Sequence, residues 1–157
     1  MEAYLSSATV CLLTFVASAA IVDLRTRRIP NVLIVVAAIV GLLLNVLRTG
    51  GAGALQSGGG ALAGFAAFLP FYLAGGFGAG DVKAMSAVGA FLGAKGVLLA
   101  ATWTLLVGGV GAVLVVAILR WKAARVQQHW QLASVARHRF PYAVAIACGT
   151  ALSLGWT

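Results

Sequence analysis

Residues 3–31 read AYLSSATVCLLTFVASAAIVDLRTRRIPN. The first part, residues 3–22, carries no charge. A helix rising about 1.5 Å per residue would carry it across about 30 Å, the thickness of a bilayer's hydrocarbon core. Asp23 follows at once, then Arg25, Arg27 and Arg28, and Pro30 ends the helical pattern. The stretch therefore reads as a membrane span whose basic end is held on the cytoplasmic side. Val16-Ala17-Ser18-Ala19-Ala20 has the small residues of a signal-peptidase site. The residues ahead of the run carry Glu2 and no Lys or Arg, however, and the arginines come after it, so the helix is expected to be retained.

The rest of the chain has the same character. Of 157 residues, 62% are hydrophobic and only 9% charged, where about 25% charged is usual for a soluble domain. That excludes an ordinary soluble globule. At about 20 residues per span, six or seven crossings use up the chain and leave no room for a separate soluble domain. The expectation is a single all-α integral membrane domain over 1–157, with about six transmembrane helices near 3–22, 32–47, 57–76, 82–94, 97–119 and 142–156. Residues 48–56 read as a short external loop, the glycines from Gly75 to Gly80 as a break between helices, and Lys95-Gly96 as a turn.

With the N-terminus outside, this map puts Arg25, Arg27, Arg28, Lys83, Arg120, Lys122, Arg125, Arg137 and Arg139 inside and only Arg48 and Lys95 outside. Trp121 and Trp156 fall at span borders, as interfacial aromatics do. The net charge of +8 then reflects basic loops facing anionic lipid rather than a nucleic-acid surface. Residues 120–139, with five Lys/Arg, His129, His138, Trp121 and Trp130, read as an interfacial segment on the same grounds. Cys11 and Cys148 sit in apolar runs with no C-x-x-C and no His at ligand spacing. They read as small buried residues, and neither a metal site nor a cofactor is expected.

Against this background the acids stand out. The chain has three, Glu2, Asp23 and Asp81. Asp23 closes the first span and Asp81 opens the fourth from the same side, so two carboxylates 58 residues apart in sequence share one depth. Singly, each has an ordinary explanation: Asp81 as a helix N-cap, Asp23 as a partner of Arg27 or Arg28. Together, at a membrane boundary where ionisable groups are costly, they meet the first requirement of an acid/base pair.

Three motifs surround them. Asp23 to Asn31 reads D-x-R-x-x-x-I-P-N, Gly78 to Lys83 reads G-x-G-D-x-K, and Pro141-Tyr142-Ala143-Val144-Ala145-Ile146 opens the last span. In this order and in a chain of this hydropathy, the sequence resembles the type IV prepilin leader peptidases, membrane aspartyl proteases of the GxGD class. The last segment looks like that family's P-Y-x-x-A-[IL]. The resemblance implies that Asp23 and Asp81 are a catalytic pair. It also implies hydrolysis, at the cytoplasmic face of the bacterial inner membrane, of the bond after the glycine that ends a prepilin's short basic leader. Longer relatives insert a cytoplasmic domain with paired cysteines after the first span, and some N-methylate the new terminus. Here only Leu24 to Asn31 separate Asp23 from the second span, which favours a short form serving tight-adherence-like pilins without methyltransferase activity.

The remaining candidates are supporting residues. Glycines 75, 76, 78 and 80 allow a sharp turn and close approach of an extended peptide. Gly58, Gly60 and Gly64 have small-x-x-x-small spacing for helix packing. Lys83 is placed to stabilise the Asp81 anion, to contact an acidic group of the substrate or to snorkel to headgroups. Arg25 sets topology and Asn31 after Pro30 reads as the N-cap of the second span, while the resemblance implies that Arg25, Pro30, Asn31, Pro141 and Tyr142 also bind substrate or shape the site. Helix dipoles favour the anion at Asp81 and the proton at Asp23. The expected partners are a prepilin and anionic lipid. A competing reading makes the same aspartates the proton or cation relay of a small transporter, which ordinarily places its ionisable groups near the bilayer midplane.

Overall fold

The computed structural model describes residues 2–26, 28–126 and 142–155. Arg27, Pro141, Trp156 and most of the basic segment, including Trp130, His129, His138, Arg137 and Arg139, lie outside the described residues. Five helices account for the described chain: α1 (Glu2–Thr26), α2 (Asn31–Thr49), α3 (Gly51–Leu73), α4 (Ala79–Val126) and α5 (Tyr142–Leu154). Three segments are long and apolar enough to cross a membrane, Ser7–Thr26, Asn31–Thr49 and Ala79–Val115, and Tyr142–Leu154 is a shorter apolar helix. In α3, 23 residues long, glycines, Gln56 and Ser57 dilute the hydropathy.

Two boundaries differ from the expectation. Residues 48–56 are not a loop, because α2 and α3 are separated by Gly50 alone. Gly50 has φ +62, a left-handed conformation open to glycine at little cost, and it reverses the chain in one residue. Gly53 then lies against the Asn45 carbonyl, where a Cβ would overlap it, so the two helices pack together directly after the turn.

The second difference is the break in α4. Lys95-Gly96 does not turn the chain; both residues are helical, and the interruption is at Gly93, with φ 71 and ψ 179. The backbone of Gly64 touches both the Met85 carbonyl before the break and the Val97 side chain after it, so the two arms of α4 lie side by side. The second arm then packs along α5, Thr104 against Gly149 and Gly108 against Tyr142 and Ala145.

Such a break frees backbone carbonyls that an unbroken helix would have paired, and a buried carbonyl left without a donor is costly. Two polar side chains from neighbouring helices supply the donors. Asn45 Nδ2 on α2 donates to the carbonyls of Ala90 (2.9 Å) and Phe91 (3.2 Å) as well as to its own helix at Gly41 (3.0 Å). Ser57 Oγ on α3 donates to the Ala90 carbonyl at 2.8 Å. Both side chains are buried.

The first arm of α4 is the centre of the bundle. Val82, Ala84, Met85, Ala87, Val88, Gly89 and Ala90 are all buried, nearly all round the helix rather than on one stripe. This burial depends on small residues opposite: Gly60 meets the Gly89 carbonyl and Gly64 meets that of Met85, backbone to backbone. Of the three glycines at small-x-x-x-small spacing, Gly58 takes no part, since it is exposed with open space around it. Cys148, expected inside, is likewise exposed, and Cys11 is half-buried.

Gly60→Val is therefore expected to abolish folded protein, since its side chain would overlap Gly89 and Gly93, whereas Gly58→Val is tolerated; size-exclusion profiles in detergent distinguish the two. Asn45→Leu strands the Phe91 carbonyl and should lower stability by about 1–3 kcal/mol, read as a drop in the thermal midpoint of purified protein.

Candidate active site

α1 buries Leu12, Phe15, Val16, Ala19 and Ala20, a stripe advancing by three or four residues, and Asp23 is its next position. On α4 the buried residues Ala84, Met85 and Val88 stand three, four and seven positions beyond Asp81. Each aspartate thus continues an inward-facing stripe, and both are half-buried. Of the element ends, the last turn of α1, the first of α2, the last of α3 and the first of α4 gather at one end of the bundle. Arg25, Arg28 and Lys83 lie at that end, and Arg48 and Lys95 at the other.

The two aspartate motifs meet through their other residues. After α1, the Thr26 hydroxyl stands 2.9 Å from the carbonyls of Val22 and Arg28, tying the short connection to the helix it leaves. Ile29 then lies over Gly80, with its Cβ 3.6 Å from where a Gly80 side chain would begin. Two residues on, Lys83 Nζ donates to Asn31 Oδ1 at 3.1 Å. Asn31 is therefore not the N-cap of α2. That position is Pro30, with φ −62 and ψ 131, and its carbonyl accepts from the Leu33 and Ile34 N–H groups. Asn31 is the first helical residue, and its amide oxygen is engaged by a charged donor from α4, a stronger partner than a backbone N–H.

Gly78 and Asp81 form a reciprocal pair at the start of α4. The Gly78 N–H donates to Asp81 Oδ2 at 3.0 Å, and the Asp81 N–H donates to the Gly78 carbonyl at 3.1 Å. Asp81 is thus the third residue of the helix reaching back, as the acid of a capping box does, rather than the cap itself. Its carboxylate has a fixed direction as a result. A Cβ on Gly78 would come within 3.2 Å of Oδ2.

The glycines before it have separate jobs. Gly75, at φ +78, closes α3: its N–H donates to Tyr72 and that of Gly76 to Phe71, the paired bonds of a Schellman cap. Gly78 and Gly80 keep room around Asp81 and Ile29. Between the two pairs, Phe77 packs edge-on against Phe68 (5.0 Å between ring centroids) and Phe71 (5.6 Å), and against Tyr142 at 4.2 Å. Tyr142 brings the start of α5 to this end, while Pro141 lies outside the described residues.

Hydropathy does not distinguish Phe77 and Phe68 from the many other apolar residues. The aromatic spacing on α3, Phe68 to Phe71, was the available signal. Arg25 is exposed. Among the described residues no group of three or more His, Cys, Asp or Glu is placed to hold a metal ion.

No curated protein and no solved structure matches the chain. A family model does: that of the type IV leader peptidase family, over residues 10–113. The match takes in both aspartates, the two motifs that Ile29 and Lys83 join and the break at Gly93, and it ends before α5. It covers about two-thirds of the sequence, and the chain therefore belongs to the type IV leader peptidase family, a family of proteases.

Proposed function

We propose that this membrane protein is an aspartyl endopeptidase that removes the short basic leader from type IV prepilins at the cytoplasmic face of the bacterial inner membrane, with Asp23 and Asp81 as its catalytic pair. The observation that carries this reading is the junction of the two motifs. Ile29 on Gly80 and Lys83 on Asn31 fasten the residues around Asp23 to those around Asp81, at the one end where both inward stripes finish in a carboxylate. Membership of a peptidase family, and acids at one end rather than at mid-membrane, favour hydrolysis over the transporter reading.

In this mechanism one carboxylate takes a proton from water as the oxygen attacks the amide carbon. The other, protonated at the start, gives its proton to the departing amine, and the bond between glycine and the first residue of the mature pilin breaks. The donor from Gly78 and the N-terminal end of α4 suit Asp81 to the charged role. Two carboxyls in one site share a proton because ionising both is costly. Gly78 and Gly80 leave space for an extended peptide, and Phe77 with Tyr142 walls the site toward α5.

Six crossings with the N-terminus outside complete the proposal. α1, α2, α3, the two arms of α4 and α5 supply six antiparallel segments, and the basic residues at the α1–α2 connection favour the cytoplasm for that end. The connection from Asp23 to Asn31 leaves no room for a cysteine-pair domain, in keeping with a short enzyme acting on tight-adherence-like pilins.

Co-expression with a pilin precursor tests the pair. Asp23→Asn and Asp81→Asn should each reduce leader removal by at least about a hundredfold at normal protein levels; intact processing in either variant refutes the assignment. Gly78→Ala presses on the Asp81 carboxylate and should slow processing by about tenfold to a hundredfold without lowering the thermal midpoint, whereas Gly76→Ala, with more room around it, should not.

A further inference from the structure

Beside the motif junction, between α2, α3 and the first arm of α4, lies a cleft of about 270 Å³. Asn31 and Lys83 form one end of it, and Ile34, Val35, Ala38 and Phe65 line its length. Residues 31, 34, 35 and 38 follow one face of α2, so the cleft runs roughly 10 Å along that helix. Its polar end is at the α2 terminus, beside the basic residues, and its apolar part extends toward the middle of the span. The surface around it is apolar and open, with Val32 73%, Val35 54% and Leu62 72% exposed, so in a membrane the cleft faces acyl chains.

Its shape and charge discriminate among occupants. One turn of a helix about 10 Å across and 5.4 Å high takes up more than 400 Å³, roughly, so a peptide helix does not fit inside. At roughly 30 Å³ per methylene, about that of a water, the cleft holds about nine carbons of an extended chain. At the polar end, Lys83 is the one charged residue on the lining. Its ammonium has three N–H donors and gives one to Asn31, which leaves two, together with the Asn31 amide N–H groups, as donors that an anionic oxygen at this end of the cleft could accept from.

We propose that this cleft is a binding site for an anionic phospholipid, with the phosphate held by Lys83 and Asn31 and one acyl chain laid along Ile34, Val35, Ala38 and Phe65. Because Lys83 and Asn31 belong to the two aspartate motifs, the lipid bears on the contact that joins them. The site requires only that the protein sits in a membrane; it does not depend on the peptidase reading.

Native mass spectrometry of the full chain in detergent, titrated with phosphatidylglycerol or phosphatidylcholine, tests the site. The parent protein should retain one phosphatidylglycerol at least fivefold more strongly than phosphatidylcholine. Lys83→Met should remove that preference, Lys83→Arg should keep it, and Val35→Trp, which fills the cleft from its exposed wall, should weaken both lipids. Asp81→Asn should bind as the parent does, which separates failure of this site from failure of the catalytic assignment. Equal retention of the two lipids by the parent, an unchanged preference in Lys83→Met, displacement of the lipid by millimolar inorganic phosphate, or photocrosslinking from position 35 to a pilin helix instead of lipid would each overturn the proposal.

Discussion

Where α4 breaks at Gly93, the carbonyls of Ala90 and Phe91 lose the donors that a continuous helix would have given them, in a buried part of the bundle where an unpaired carbonyl is costly. Asn45 from α2 and Ser57 from α3 take up those carbonyls. Much of the architecture depends on this exchange. It lets α4 double back as two arms and draws α2 and α3 against the first of them, which is buried nearly all round. It also returns the chain to the end of the bundle from which α4 began. Glycines make the approach possible, since Gly60 allows backbone to meet backbone at the break and Gly64 does so at Met85, about two turns before it. The polar residues in these otherwise apolar helices are the means by which a non-helical residue is accommodated inside the bundle.

The opposite end follows from that packing. With the first arm at the centre, its N-terminus becomes the place where other elements can meet, and they do so by different kinds of contact. Ile29 rests on a glycine, Lys83 bonds Asn31, and Phe77 stacks against Tyr142. The aspartates have a different dependence: each is directed inward because it extends a buried stripe of its own helix. Asp81 is also aimed by the Gly78 N–H, so its direction is set by backbone geometry.

Much of this was legible before any coordinates. Hydropathy alone identified α1 and α2 to within a few residues, because an apolar run followed by charge and proline is a local signal. The scarcity of acids marked Asp23 and Asp81, and the motifs around them carried the family resemblance. The errors were equally physical. Lys95-Gly96 looks more like a turn than Gly93, which sits between Leu92 and Ala94 in an unbroken apolar run. Residues 48–56 look like a loop because they are rich in glycine, yet one left-handed glycine suffices and the rest are helical. Asn31 after a proline looks like a cap, and its true partner stands 52 residues away on another helix.

What the sequence by itself determined is whatever depends on sums and spacings over neighbouring residues: the membrane setting, the helical class, the approximate limits of α1 and α2, the asymmetry of basic charge and the three motifs. Tertiary structure decided where α4 breaks, which glycines touch backbone and which motif residues meet. A break in a membrane helix settles where neighbouring helices can satisfy the freed carbonyls, and a glycine is needed only where another backbone approaches. Both conditions belong to pairs of residues far apart in the chain, and no local window contains them.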